Sequence, residues 1–376
     1  MELAAIRLEN VRVFQGENVI PVGPGLTVLM GRNNVGKSTI LRAPFMFIGT
    51  SSQRAMYGYF QRAGCDTGSV GLQFSFTSQE CSAMLGFAVA RASDIQIMEN
   101  RDAQSYPLSG IDSFRDWHLS PVVELGCSWR GNSSVRTLRL VSHKHPEQNW
   151  VEVNGRGDEA RATIEGKPQL SNARHEWFTS ALQHALLNAE TGLTPDLVAH
   201  WEHERPEAIS KWIEQSKRRV VDTEESRLQE TLTFLKMKHS DEFDAISRSL
   251  KSALPEFARL DFIDTKGTGF DYRPGFVSAG AGPRALAREE IGTGAWSYLC
   301  IVTAARAAKA TGARVLFLDE PQIHMHPGLE RLLVQELLDE SRWAGKPLQI
   351  VVSTHSPAFV NAAANGGVLN VIALAR

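Results

Sequence analysis

Residues 31–38, Gly-Arg-Asn-Asn-Val-Gly-Lys-Ser, constrain this chain more than any other stretch. They complete the pattern G-x-x-x-x-G-K-[ST], after an apolar run (Leu26 to Met30) and before a helix-like segment, Lys37 to Ile48. Glycines at such positions let backbone N–H groups face phosphate oxygens, while Lys37 reaches the β and γ oxygens and Ser38 offers a hydroxyl to Mg2+. A helix starting behind the loop adds a field that favours anions. The nucleotide-contacting candidates are therefore Gly31, Arg32, Asn33, Asn34, Val35, Gly36, Lys37, Ser38 and Thr39. Taken alone, the loop says only that phosphate can bind.

Two later stretches supply further parts. In "VLFLDEP", Val315 to Pro321, four apolar residues read as a buried strand with Asp319 and Glu320 at its C-terminal end. That is the edge where α/β sheets place ligands. Asp319 there would hold Mg2+ directly or through water, and Glu320 would polarise an attacking water as general base. The bland alternative is a strand followed by an acidic helix cap. In "VVSTHSP", Val351 to Pro357, another apolar run ends at Thr354-His355-Ser356. An imidazole at that point can meet a γ-phosphate or its attacking water, although a lone histidine after a strand is commonly ordinary.

The pattern along the chain fits an α/β protein of several parts. Ala4 to Phe14 alternates like a half-buried strand, interrupted at Glu9-Asn10, and Glu17 to Val22 reads as a second strand before Pro24-Gly25 turns into the third. Pro44 should limit or kink the helix after the phosphate loop. Strands at 69–76, 121–129, 134–141 and 150–153 suggest an antiparallel β lobe. Residues 174–190 read as a helix, and Pro206 opens a longer one to about Lys238, with another at Glu242 to Leu254 before Pro255. The last third alternates strand and helix, the rhythm of a parallel sheet. The expected division is 1–173 for the N-terminal part with the β lobe, 174–255 for a helical insertion and 256–376 for the C-terminal α/β part.

Bulk properties narrow the classes. Hydrophobic content of 43% and charged content of 22% are ordinary for a globular chain, and a net charge of −2 argues against a uniformly basic nucleic-acid coat. The four cysteines (Cys65, Cys81, Cys127, Cys300) form no C-x-x-C pair, which fits reduced thiols in a cytoplasm. The N-terminus carries early charges and no signal-peptide core, and no run of about 18 apolar residues suggests a membrane span. A cytoplasmic location is expected.

The three motifs, in this order, resemble the ABC-type ATPase heads of the SMC/RecF/OLD group. The likeness covers roughly residues 1–80 and 256–376. Its sharpest part is "LDEPQIHMHP", where the group shows a D-E-P-E-x-H-L-H-P string; Gln322 stands in place of the second acid and Met325 in place of leucine. The resemblance implies a P-loop α/β fold, ATP with Mg2+ as cofactors, and ATP sandwiched between two copies of the chain. A signature loop from the partner copy should complete each site. The candidate is Ile291-Gly292-Thr293-Gly294, upstream of Asp319 and ahead of an expected helix. A glycine turn capping a core helix is the plainer reading. By the same resemblance His324 and His326 could relay nucleotide state across the interface or be simple loop residues. A glutamine contacting Mg2+ should follow the phosphate-loop helix, with Gln61, Gln73 and Gln79 available.

Weaker constellations read as surface. His143-Lys-His145 and His200-x-x-His203 have no convincing third metal ligand. The basic run Lys211, Lys217, Arg218, Arg219 and Arg227 could meet nucleic acid, but Glu214, Asp222, Glu224 and Glu225 dilute it. Arg62 and Asp66 have no assigned role. No N-K-x-D string supports GTP, and a small-molecule kinase would not explain the His355 strand end. An OLD-type nuclease in the same chain is not expected, because the sequence ends at Arg376, soon after His355. Stand-alone heads with a compact insertion resemble ATPase subunits of prokaryotic anti-phage systems of the PARIS and Septu types, which implies a homo-oligomeric ATPase controlling a separate nuclease or toxin. RecF- or SMC-like repair ATPases, which bind DNA, and a non-hydrolysing nucleotide-gated scaffold are the alternatives.

Overall fold

The computed structural model describes residues 2–46, 60–75, 122–130, 133–141, 149–151, 162–164, 167–169, 198–202, 224–254, 257–264, 272–278, 292–310, 315–341, 348–366 and 369–374. The chain divides into two compact units, Met1–Val22 with Asn34–Pro195, and Gly23–Asn33 with Asp196–Arg376.

Strands β1 (Glu2–Val11), β2 (Phe14–Pro21) and β3 (Leu26–Met30) lead into helix α1 (Lys37–Arg42) and a 3-10 turn (Ala43–Met46). Next come β4 (Thr67–Ser75), β5 (Val122–Arg130), β6 (Ser133–Val141), β7 (Asn149–Val151), β8 (Ala162–Ile164) and β9 (Lys167–Gln169). Strand β10 (Val198–Glu202), helices α2 (Glu224–Lys238) and α3 (Ser240–Ala253), and strands β11 (Phe257–Asp264) and β12 (Tyr272–Ser278) follow. The last elements are α4 (Thr293–Ala310), β13 (Val315–Asp319), α5 (Pro327–Ser341), β14 (Gln349–Ser353), α6 (Pro357–Gly366) and β15 (Leu369–Ala373).

In the first unit an antiparallel sheet runs in the order β2-β1-β4-β5-β6. The expected interruption at Glu9-Asn10 is a register shift between Glu9 and Val11, and Asn10 and Arg12 take left-handed backbone (φ 51 and 48) to reverse the chain into β2. Leu3, Ile6 and Leu8 bury one face of β1, and Arg7, on the opposite face, is buried as well. Its guanidinium meets Glu124 on β5 at 2.9 Å, and Gly71, which opposes Arg7 on β4, leaves the space. A Cβ at Gly71 would sit 2.9 Å from the Glu124 carboxyl carbon. Helix α1 is shorter than the sequence suggested. Ala43 donates to Ile40 and the chain tightens into the 3-10 turn at Pro44, whose ring and missing N–H oppose a further α-turn.

The second unit is built on a parallel sheet in the order β10-β13-β14-β3-β15. Strands β13 and β14 read as continuous apolar runs because the sheet is covered on both faces: Val315 to Leu318 and Ile350 to Val352 are all fully buried. Each such side chain contributes roughly 1.5–3 kcal/mol through burial. The core joins these strands to Trp296, Leu299 and Val302 of α4, Leu333 and Leu337 of α5, and Phe359 of α6. Leu228, Leu232 and Leu235 of α2 and Phe243, Ile246 and Leu250 of α3 belong to the same core. The segment 174–255, expected to be an insertion of helices, therefore behaves differently where it is described. Residues 198–202 form β10, paired in parallel with β13, and α2 and α3 pack as part of the α/β unit. The helix expected at 174–190 and the start of the one expected from Pro206 lie outside the described residues.

Candidate functional site

The parallel register places the chemistry at one edge of the second unit. Asp319, the last residue of β13, pairs with Ser353, the last of β14, and Ser353 pairs with Leu29 near the end of β3. Thr354 continues the contact, its N–H donating to the Leu29 carbonyl at 3.2 Å. The strand that runs into Gly31 thus ends beside the acidic pair and the "STH" stretch, all at the C-terminal edge.

Three consecutive residues at the end of β14, Ser353, Thr354 and His355, hold three positions at the end of β13, Asp319, Glu320 and Gln322. The Ser353 hydroxyl donates to Asp319 Oδ1. The Glu320 N–H donates to the Ser353 carbonyl at 3.0 Å and also faces its hydroxyl at 3.3 Å. Those bonds pin Glu320 in left-handed backbone (φ 45), which costs a non-glycine residue about 1–3 kcal/mol and persists only where neighbours enforce it. The twist turns the Glu320 side chain back over the strand ends. His355 Nε2 lies 3.3 Å from Glu320 Oε1, an ion pair when the imidazole is protonated. Gln322 Nε2 donates to Glu320 Oε2 at 2.6 Å, and Thr354 Oγ1 donates to Gln322 Oε1 at 2.8 Å. Sequence reasoning named Asp319, Glu320 and His355 but missed Ser353 and Thr354. Both hydroxyls are fully buried, and their signal was a pair of polar residues closing a strand otherwise made of apolar ones. Gln322 was noticed only as a departure from a pattern.

The "SP" of this stretch has a local role. Ser356 caps α6, accepting from the Ala358 N–H at 3.0 Å, with Pro357 at the first helical position. His326 does the same for α5: its Nδ1 accepts from the Gly328 N–H at 3.1 Å, ahead of Pro327. Of the two histidines considered as relays, His326 is therefore a helix cap, while His324 is exposed with left-handed backbone (φ 68).

Three residues of the loop from Gly31 to Thr39 have positive φ. Gly31, Asn34 and Gly36 have φ of 149, 65 and 106, the alternation that such loops use to turn N–H groups inward. At Gly36 a Cβ would also fall 2.6 Å from the Phe14 ring, so glycine is needed twice over. Arg32, Asn33 and Asn34 are exposed, Val35, Lys37 and Thr39 are buried, and Ser38 is half-buried.

Gly292 and Thr293 are exposed at the start of α4, and the Gly292 carbonyl accepts from Trp296 N–H at 3.0 Å. Gly294 approaches its own chain: a Cβ there would lie 2.5 Å from the His324 carbonyl oxygen. The helix expected after the glycines is α4, and Ile291 lies outside the described residues. Among the glutamines, Gln73 is engaged by Glu124 Oε2 at 2.8 Å, and Gln61 is exposed and donates to the Cys65 carbonyl at 3.3 Å. Gln79 lies outside the described residues. Arg62 Nη1 donates to the Val13 carbonyl at 3.2 Å, tying the β1–β2 turn, and Asp66 is exposed. His143, His145, His203 and the basic run from Lys211 to Arg219 lie outside the described residues, as do Asp222 and the Glu214 beside them.

Whether these residues suit ATP and Mg2+ can be judged from the donor set. Among the described residues no group of three His, Cys, Asp or Glu is arranged for a metal. Mg2+ needs no such cage, since it takes one or two protein oxygens and completes its shell with water and phosphate. The Ser353 bond occupies Asp319 Oδ1 and leaves Oδ2 to meet a cation or its water. Ser38 and Asp319 each offer a hard oxygen of the kind Mg2+ takes. Among the described residues no helix is long and apolar enough to cross a membrane.

The family model described as "AAA domain, putative AbiEii toxin, Type IV TA system" matches residues 141–361, and another described as "AAA domain" matches residues 5–118. No curated protein matches the chain. Among solved structures, the SmcHead bound to the C-winged helix domain of ScpA is similar with a TM-score of 0.54 at 15% identity, over 96% of this chain and 91% of that one. The Smc head domain with an extended coiled coil bound to the C-terminal domain of ScpA, from Pyrococcus furiosus, gives 0.50 at 14% identity over 96% and 91%. At these identities the likeness is one of fold, and the fold is that of an SMC-type α/β ATPase head.

Proposed function

The chain belongs to the AAA-domain family whose model spans residues 141–361, and on that premise we propose that it binds and hydrolyses ATP with Mg2+ to gate a separate effector. The observation that carries the reading is the Glu320 carboxylate, held from two sides by His355 and Gln322 at the end of the parallel sheet. A carboxylate fixed there, next to Asp319, suits a base that orients water and takes its proton. Bound ATP and Mg2+ supply the phosphoanhydride bond and the neutralising charge. The residues proposed to hold them are Gly31 to Thr39 for the phosphates, with Lys37 on the β and γ oxygens, and Ser38 and Asp319 for the cation. His355 then reads the γ-phosphate state, because it already touches the base.

Gly292, Thr293 and Gly294 are proposed to act on the ATP of a second copy. Exposure of Gly292 and Thr293 supports that reading. Closure of two heads on ATP and their release after hydrolysis would be the output, in a homodimer or a larger homo-oligomer. The family's description links this domain to a toxin of a type IV toxin–antitoxin system. For this chain we extend the link to a nuclease or toxin held in trans, in anti-phage defence, with the head acting in the cytoplasm.

The test compares Lys37→Ala and Glu320→Gln with wild type for phosphate release and for assembly size by light scattering. Both variants should lose turnover by at least about 100-fold. Glu320→Gln should accumulate the ATP-bound assembly, and Lys37→Ala should not form it. Normal turnover in Glu320→Gln would overturn the mechanism. Assembly sizes indifferent to ATP in all three proteins would overturn head closure.

A further inference from the structure

We propose that Ser353 is a positioning residue for Asp319, and that its hydroxyl sets how firmly the protein holds the Mg2+ that accompanies ATP. The inference deepens the ATPase reading above and rests on it. Strands β13 and β14 run parallel with Asp319 and Ser353 as register partners, so the two side chains stand on the same face of the sheet. The hydrogen bonding between them has one direction. A hydroxyl carries a single proton, and an ionised carboxylate only accepts. The Ser353 oxygen faces the Glu320 N–H at 3.3 Å, a group that can only donate, so its own proton goes to Asp319 Oδ1. That bond fixes the rotation of the Asp319 carboxylate and leaves Oδ2 for a cation or its water.

Ser353 is fully buried and Asp319 half-buried, so the donor is anchored in the core while the acceptor can be reached from outside it. The neighbouring hydroxyl does not compete, because Thr354 Oγ1 is committed to Gln322 Oε1 at 2.8 Å. The base is held by other bonds. The Glu320 N–H donates to the Ser353 carbonyl at 3.0 Å, a group that every residue at this position would supply. The Glu320 carboxylate meets His355 and Gln322. Removing the hydroxyl therefore loosens the Asp319 carboxylate and leaves Glu320 where it is. A hydroxyl that only filled the end of β14 would affect melting and no ligand in particular. One that orients Asp319 governs the metal and spares the nucleotide, since groups that orient a metal ligand are worth about 10–100-fold in metal affinity.

The experiment uses the full chain as wild type, Ser353→Ala and Ser353→Thr. Mn2+, which suits the same carboxylate and water ligands as Mg2+, is the probe. Its affinity for protein loaded with a non-hydrolysable ATP analogue is read by electron paramagnetic resonance. Analogue affinity in EDTA, kcat at saturating Mg2+ and Tm without nucleotide are measured beside it. Ser353→Ala should bind Mn2+ about 10–100-fold more weakly and need correspondingly more Mg2+ for half-maximal turnover. Its analogue affinity in EDTA and its kcat at saturating Mg2+ should stay at wild-type values. Ser353→Thr keeps the hydroxyl and should bind Mn2+ like wild type. Unchanged Mn2+ affinity in Ser353→Ala, a loss of kcat that saturating Mg2+ does not repair, or a Ser353→Thr as weak as Ser353→Ala would each overturn the proposal. The two readings separate cleanly. A wild type that binds no analogue removes the ATPase reading, whereas normal wild-type turnover beside an unaltered Ser353→Ala removes only the positioning role.

Discussion

Replacing Gly294 with alanine should destabilise the protein, and replacing Gly292 with alanine should not. At Gly294 the new methyl would stand 2.5 Å from the His324 carbonyl oxygen and 3.3 Å from Met325 Cα. That is closer by about 1 Å than the roughly 3.5 Å at which heavy atoms attract, and the obstacle is backbone. Forcing a methyl into a packed contact costs about 1–3 kcal/mol. Alanine in a helix regains about 0.5–1 kcal/mol over glycine, so a net loss of about 1–2 kcal/mol is expected. For a unit this large that lowers Tm by roughly 2–8 °C. At Gly292 nothing lies within 4 Å and the backbone is not left-handed, so alanine should raise stability by about 0.4–1 kcal/mol. Calorimetry without nucleotide reads both. The same pair then tests the signature assignment: in a Glu320→Gln background, Gly292→Ala should weaken ATP-dependent assembly while leaving the isolated chain stable. If Gly294→Ala melts at or above wild type, the packing argument is wrong. If Gly292→Ala assembles normally on ATP, the segment is a helix start and no more.

Two further outcomes are expected. Glu124→Ala should cost less than the roughly 3–5 kcal/mol of a buried charge left wholly unpaired, because Arg7 keeps Glu9 at 3.3 Å and the Ser69 hydroxyl at 3.0 Å, and urea unfolding measures it. A loss of the full roughly 3–5 kcal/mol would show that Glu124 alone neutralises Arg7. Burial, reinforced by the Glu336 carboxylate and opposed by Arg306, pushes the Tyr298 phenol above its ordinary 10.0. Because the folded value is the higher one, this group's stabilisation is present below about pH 10 and fades as pH rises beyond it. Tyr298→Phe should flatten the alkaline loss of stability followed by circular dichroism.

Much of the site could be read directly from the residues. "LTVLM" is β3, bounded by Pro24-Gly25 and by Gly31, because a short apolar run between turn residues has few other places to go. "VLFLD" and "QIVVS" are β13 and β14 for the same reason. Strand β10 was not legible: "VAHWE" has no apolar run, and what makes it a strand is the parallel ladder it forms with β13. Nor could sequence choose among the glutamines. Gln73 turns out to serve the Arg7–Glu124 pair, a cluster assembled from β1, β4 and β5.

The sequence by itself determined the order of the parts: a phosphate loop after one strand, two acids after another, a histidine after a third. These are local facts, set by which residues terminate an apolar run, and they survive without knowing how the strands pair. Only the tertiary structure decided that β13 and β14 lie side by side in a register matching Asp319 with Ser353. That register brings Ser353, Thr354 and His355 onto Asp319, Gln322 and Glu320, residues separated by more than thirty positions in the chain. A strand fixes which side chains it carries, but its neighbour fixes which of them meet, and hydrogen bonds form only between groups that meet.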